Sequence, residues 1–301
     1  MKHITLQRRK ANSPPKKWSP KEEQVLLKHI NNGNFNSKKI TVLLPNRSSA
    51  SIRSKTRKLR IKYDLFGEAY RSLKEMFTEK IAKNIKPESV YEAYAGAGHQ
   101  TLAWIQYSKI VYACDKRDGK KKQFFNNIEK AGFRRYPSKN NWYCFKKSNK
   151  KIYFFHGDTI NAAADLMAKG IHVDLIDLDT CGSTLLVLST LLALLNPNHL
   201  TITHGEFHSL RFRREDVLRR ILIHRDVNKS PLPISIDQLA MELDKSVKIA
   251  SLRSHNETCD SLWAELKEET WLGSKAHGML RRYYKLTRPI ATADCLNEIN
   301  H

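Results

Sequence analysis

At 301 residues the chain is long enough to bury one full core and a smaller one beside it. Its 53 Lys and Arg against 30 Asp and Glu leave a formal charge of +23, and such an excess points to a polyanionic partner, because neutralising phosphates releases condensed counterions. No run approaches the roughly 18 consecutive apolar residues of a membrane span, and residues 1–10 lack the apolar core of a secretory signal; a soluble intracellular protein is expected, in the cytoplasm or with nucleic acid in a nucleoid or nucleus.

The charge is uneven. Residues 1–62 hold 17 Lys and Arg against 2 Asp and Glu, a net of +15, which leaves 36 against 28, or +8, for the rest. The five cysteines, Cys114, Cys144, Cys181, Cys259 and Cys295, form no CxxC pair and no Cys/His spacing suited to zinc. Their odd number argues against a closed disulfide framework, so a reducing compartment fits and no metal site is expected.

Residues 1–17 are basic, carry Pro14 and Pro15 and have no apolar period, which reads as a disordered arm. Ser19 followed by Pro20 and Glu22 makes a capping box, so a helix is expected over 20–30, stopped by Asn31, Asn32 and Gly33. A second is expected over 37–44, ended by Pro45. The third spans 49–61, with Ile52, Leu59 and Ile61 inward and Arg53, Lys55, Arg57 and Lys58 outward beside Arg47. So small a module needs Trp18 for a large share of its core.

Trp18, Glu22 with Glu23, Leu26 with Leu27, Ile40, the LPNRS turn at 44–48 and the basic run 51–55 resemble the Myb/SANT type of helix-turn-helix. The resemblance covers about the first sixty residues, with one of the usual aromatic core positions clearly Trp. It implies a third helix laid in a major groove, with Arg47, Arg53, Lys55, Arg57 and Lys58 as the nucleic-acid-binding set and the arm reaching the minor groove. SANT-like folds also bind protein, which is the alternative for residues 18–62.

Residues 63–87 read as a helical connector, with a helix over 64–86 packing through Leu65, Leu73, Phe77 and Ile81 and ended by Pro87. From 88 to 301 strands are expected at 89–95, 110–115, 151–156, 173–178 and 200–204. Helices are expected at 99–107, 120–131, 161–169, 183–195 and 214–223, and a late strand pair near 241–250 and 283–286. That alternation calls for a parallel sheet with helices on both faces and ligands beyond the carboxyl ends of its strands.

At the first of those ends the chain reads VYEAYAGAG, residues 90–98. Gly96 and Gly98 let the turn approach a ligand, and the helix that follows offers free N–H groups. No third glycine makes it a dinucleotide fingerprint. Asp115 ends the second strand, roughly 20 residues on, Asp158 follows the third and Asp179 ends the fourth. Each alone could be a turn residue or a helix cap. In this order they are what a sheet needs to hold S-adenosylmethionine by its amine, ribose and adenine.

The set resembles the Rossmann-like methyltransferases that use this cofactor. The fold expected is therefore α/β, a Rossmann-like sheet with helices on both faces, preceded by a small all-α helix-turn-helix domain. The resemblance implies that Glu92 meets the methionine moiety, with Tyr94, Gly96, Gly98 and Asp177 completing the cofactor set. Asp115 would accept both ribose hydroxyls and Asp158 the adenine amine.

The fourth strand runs VDLIDLDTCGS over 173–183. It resembles the DxDPxGS segment of the tRNA guanine-N2 methyltransferase (Trm1-like) group more than the (D/N)PP(Y/F) of amino-methylating DNA enzymes. Asp177 and Asp179 share one face, so both can point into the cleft, and Asp179, the last, is placed to accept a hydrogen bond from an exocyclic amine. Thr180 stands where the proline would be, and no aromatic follows to stack a flipped base. Cys181 is the alternative nucleophile of a carbon-5 pyrimidine chemistry, without a base beside it; its other reading is a buried small residue.

Residues 120–151 interleave Lys and Arg with seven aromatics, a mixture suited to holding phosphates and stacking bases. Several of these rings are needed for core, and Arg134, Arg135 and Trp142 are expected to be free. His204 and His208 could line the base pocket. The function this supports is a methyltransferase acting on nucleic acid, DNA preferred for the helix-turn-helix and RNA the alternative for the fourth-strand motif. A rival of another class is a non-catalytic DNA-binding protein with a degenerate methyltransferase fold. The sequence sets neither the methylated atom nor the oligomeric state.

Overall fold

The computed structural model describes residues 17–31, 37–62, 70–137, 141–180, 182–222, 235–254, 262–275 and 278–288. The chain divides into two compact units, 1–68 and 69–301. The arm over 1–16, Leu65, Cys181 and the side chain of Ile61 lie outside the described residues.

The small unit is three helices, α1 (Pro20–Asn31), α2 (Ser37–Leu43) and α3 (Ser49–Lys62). Leu26, Ile30, Ile40, Leu44, Ile52 and Leu59 bury together, and Trp18 packs on the edge of that cluster rather than filling it. The capping box forms: the Ser19 N–H donates to Glu22 Oε2 at 2.8 Å and the Glu22 N–H to Ser19 Oγ at 3.3 Å.

Arg47 corrects the sequence reading. It is buried, not free for phosphate. Its guanidinium donates to both Glu22 oxygens at 2.7 and 2.9 Å and to the Lys17 carbonyl at 2.7 Å, and lies 4.4 Å over the Trp18 ring. Lys55 is likewise engaged, at 2.5 Å from Glu23. Among the described side chains of α3 the exposed cations are Arg53, Arg57 and Lys58.

The Arg47 hydrogen bond, with the Ser19 N–H, lowers the Glu22 pKa from 4.5 to about 2. A carboxylate whose folded pKa is depressed stabilises above its unfolded value and loses that stabilisation as pH falls through the folded one. Glu22→Gln keeps the capping box and removes the charge. It should lower the melting temperature of the small unit near neutral pH, by a margin that shrinks toward pH 2 in thermal circular dichroism.

The large unit opens with α4 (Arg71–Ile85), then β1 (Ser89–Ala93), α5 (His99–Ile105), β2 (Ile110–Asp115) and α6 (Asp118–Lys130). A hairpin of β3 (Arg134–Tyr136) and β4 (Trp142–Lys147) leads to β5 (Lys150–His156), α7 (Thr159–Ala168), β6 (Leu175–Asp179), α8 (Leu185–Leu195) and β7 (His199–His204). Short helices α9 (Phe207–Arg211) and α10 (Glu215–Ile221) precede α11 (Ile236–Leu252), β8 (Trp263–Leu272) and β9 (Met279–Thr287). The sheet order is β3-β4-β5-β2-β1-β6-β7-β9-β8. Strands β5, β2, β1, β6 and β7 are parallel, and β9 is antiparallel between β7 and β8. From β1 the order runs out through β2 on one side and β6 on the other, so the chain reverses direction there and opens a crevice at the carboxyl edge. No helix among the described residues is long and apolar enough to cross a membrane.

Three expectations are corrected. Residues 241–250 are not a strand but lie within α11, where Leu239, Leu243, Val247 and Ala250 recur at helical spacing behind a Ser235–Gln238 capping box; the partner of β9 is β8. Trp142 is not free: it is buried in an edge-on contact with Tyr112 and donates its indole N–H to Asp165 at 2.5 Å, because the unforeseen β3–β4 hairpin extends the sheet and sets Trp142 beside Phe155 of β5. Arg134 and Arg135 remain exposed on β3. In α4, Leu73 faces solvent and Lys74 faces the sheet with Phe77, Thr78, Ile81 and Ala82.

Candidate active site

The turn after β1 must double back over the sheet edge. Tyr94 makes it in left-handed backbone, at φ 65°, where a bulky side chain costs about 1–3 kcal/mol. Gly96 and Gly98 follow at 56° and 82°. A Cβ at Gly98 would lie 2.8 Å from the Phe124 ring, whereas one at Gly96 would meet nothing nearer than 3.8 Å. The glycine at 98 serves packing, and at 96 a Cβ would find only ordinary contacts.

Asp115 closes this turn. Its Oδ2 accepts from the Gly96 N–H at 3.0 Å and its Oδ1 from the Arg117 N–H at 2.9 Å. The Arg117 guanidinium also donates to both oxygens, at 3.0 and 2.8 Å. The Asp115 side chain is 3% exposed and that of Arg117 47%, so a surface cation sits between a buried carboxylate and solvent. Asp158 stands at the N-cap of α7, exposed, with Oδ1 accepting the Ile160 N–H at 2.9 Å. Burial first, and then the neighbouring Cys114 and Asp158, push the Tyr94 phenol above its ordinary value.

The other carboxylates meet on one face of the sheet. Register sets Glu92 beside Asp177, Asp177 beside Thr201, Asp179 beside Thr203, and Thr203 beside Arg281, and side chains at paired positions project to the same face. Glu92 is buried and accepts from the Thr101 hydroxyl. Burial, with Asp177 next, drives its carboxyl well above the usual range.

Asp177 shares the face of Asp179 as expected, but it does not open into the cleft. It is fully buried and accepts from Trp104 Nε1 at 2.6 Å, Thr201 Oγ1 at 2.7 Å and Arg281 at 2.9 and 3.0 Å. Arg281 reaches on to Thr203 at 2.7 Å and Thr78 at 3.1 Å. Asp179, nearer the rim, holds the Lys74 ammonium at 2.7 and 2.8 Å. Burial alone would raise the Asp179 carboxyl; Lys74 and Arg281 outweigh it and hold it below its ordinary value.

The structure thus joins Glu92, Asp177 and Asp179 in one buried network and sets Asp115, Gly96 and Tyr94 at the adjoining edge. His204 does not line this face. It alternates with Thr203, pairs in register with Leu280, and is buried with Glu206, its Nδ1 3.6 Å from Oε2. His208 is exposed on α9. Lys74, Thr78, Trp104 and Arg281 were missed from sequence. A lysine on the Phe77–Ile81 stripe and an arginine pair between Leu280 and Tyr283 of a late strand are the signals for the two cations, since buried charges of this kind come paired.

No family model matches the chain, and no curated protein does. Among solved structures, Trm1 from Pyrococcus horikoshii in complex with S-adenosyl-L-methionine is 16% identical over 75% of this chain and 57% of that one, with a TM-score of 0.58. This chain therefore spans less than two thirds of that protein. Fibrillarin from Methanococcus jannaschii, a pre-rRNA processing protein, is 10% identical over 68% of each chain at a TM-score of 0.41. Trm5b from Pyrococcus abyssi is 12% identical over 70% of this chain and 48% of that one, at 0.38. The likeness to Trm1 shows the fold class expected from the sequence, a Rossmann-like α/β sheet with helices.

Proposed function

We propose that the chain is an S-adenosylmethionine-dependent methyltransferase that acts on an exocyclic amine of a base in nucleic acid. One observation carries the reading. At the carboxyl edge where the sheet reverses, Asp115 offers both oxygens to a surface guanidinium in the way it would offer them to two vicinal hydroxyls. Arg117 is half exposed, and a Cβ at Gly96 would meet only ordinary contacts, the Tyr94 carbonyl at 3.8 Å and the same guanidinium at 3.9 Å.

Asp115 is then the ribose acceptor, Asp158 the adenine acceptor, and Glu92 with the Tyr94–Gly98 turn the wall of the methionine end. The cofactor supplies an electrophilic methyl group. Asp179, at the rim of the same edge, accepts a hydrogen bond from the amine and directs its lone pair. Asp177 is reassigned from contact with ligand to support of that strand.

Arg53, Arg57 and Lys58, presented together on α3, suit phosphate contact, and Arg134 and Arg135 add charge on the large unit. The helix-turn-helix resemblance favours DNA. A second reading, RNA, draws on the fourth-strand motif and on Trm1 as a structural neighbour. Incubating the protein with labelled cofactor and separate pools of duplex DNA, single-stranded DNA and tRNA, then identifying the modified nucleoside, decides between them.

Asp115→Ala should weaken cofactor binding by more than about tenfold, since a lost bidentate contact is worth roughly 1.5–3 kcal/mol. Calorimetry that detects no binding by the wild type would remove the enzyme reading altogether.

A further inference from the structure

Lys74 is the least expected charge in the large unit. It lies at the N-terminal end of the buried stripe of α4, its side chain 6% exposed, against an Asp179 side chain 13% exposed. Holding an ammonium there requires a fixed counter-charge, and its Nζ spans both Asp179 oxygens nearly symmetrically. Here Lys74 differs from Arg117, which caps its own aspartate from the surface. One cation is half exposed; the other is buried with its partner.

The charges facing Asp179 come from four elements. From β1 and β6 come Glu92 and Asp177, from β9 Arg281, and from α4 Lys74. Thr203 on β7 adds a hydroxyl, and α5 supplies the polar groups of Gln100, Thr101 and Trp104 without charge. Arg281 makes its carboxylate hydrogen bonds to Asp177 and acts on Asp179 through charge alone, so Lys74 is the cation that Asp179 holds directly.

We propose that Lys74 is a positioning residue, its ammonium holding the Asp179 carboxylate ionised and oriented so that the remaining lone pairs receive the incoming amine. This rests on the methyltransferase reading above. A carboxylate has about four lone-pair sites, and two bonds to Lys74 leave acceptor capacity at each oxygen. Without Lys74, Asp179 keeps the charge of Arg281 against burial and two neighbouring carboxyls, and its carboxyl is expected to shift upward toward protonation. A protonated Asp179 no longer takes up the charge that develops on the amine.

The test compares wild type with Lys74→Met, Lys74→Gln and Lys74→Arg. Three quantities are measured: cofactor affinity by calorimetry, the pH dependence of methyl transfer, and the titration of the Asp179 carboxyl carbon by NMR, assigned by its loss in Asp179→Asn. Cofactor affinity should stay within about twofold in all three variants. In Lys74→Met and Lys74→Gln the acid limb of the rate profile and the NMR titration should both move up by about 1–3 pH units, with activity recovering at higher pH, and Lys74→Arg should restore most of the wild-type profile. Lys74→Gln guards against a packing defect in the methionine variant.

An unshifted Asp179 titration in both neutral variants overturns the proposal, whatever their activity. A shifted titration with an unshifted rate profile overturns the positioning role in the reaction. A wild type that transfers no methyl group to any pool fails the function reading instead, and the titration still decides whether Lys74 sets the charge of Asp179.

Discussion

Asp179→Asn is expected to lower the rate of methyl transfer by about 10²-fold or more while cofactor affinity changes little. An amide of the same shape can accept a hydrogen bond from the amine, but it cannot take up the positive charge that grows on nitrogen as the methyl group arrives. The residue lies nearer the rim than Asp177, its side chain 13% exposed, and the amide keeps its shape. The substitution also strands the Lys74 ammonium, and Lys74→Met combined with Asp179→Asn should recover stability but not rate. A single-turnover assay beside calorimetry separates the two. Wild-type turnover by the Asp179→Asn variant would exclude the carboxylate from the chemistry and turn attention to Cys181.

The largest stability effect is expected at Arg281. Its guanidinium, wholly buried, makes two hydrogen bonds to Asp177 and one each to Thr203 and Thr78. Arg281→Met leaves Asp177 as a buried charge with only neutral donors, Trp104 and Thr201. Breaking such a pair from one side costs about 3–5 kcal/mol, whereas replacing both partners by apolar groups is far milder. In urea the single variant should lose most of its midpoint, and Arg281→Met with Asp177→Leu should regain a substantial part of it. A single variant within about 1 kcal/mol of wild type would show that the network is not what ties β9 into the sheet.

The parallel strands were legible because they obey a local rule. Apolar runs of strand length at 110–115, 151–156 and 200–204 alternate with helical periods, and β2, β5 and β7 formed at those places within a residue. The strand-end acids were legible for the same reason, since a residue that ends a parallel strand lands on the carboxyl edge however the strands are ordered. The span 241–250 was misread as a strand although Leu243, Val247 and Ala250 recur at helical spacing; the capping box at Ser235, six residues upstream of that window, was the further sign of a helix.

What the sequence by itself determined is therefore the class of fold, the acidic rim with Asp115, Asp158 and Asp179, and the basic third helix of the small unit. All of these follow from spacing along the chain. Which charges meet was decided only by the tertiary structure. Lys74 and Asp179 are 105 residues apart and Arg281 and Asp177 104, and Arg47 was drawn from the expected nucleic-acid contacts into a bond with Glu22, 25 residues away. The physical reason is that a buried charge is tolerated only against its counter-charge, and that partner is chosen by strand order and helix rotation, neither of which a local pattern encodes.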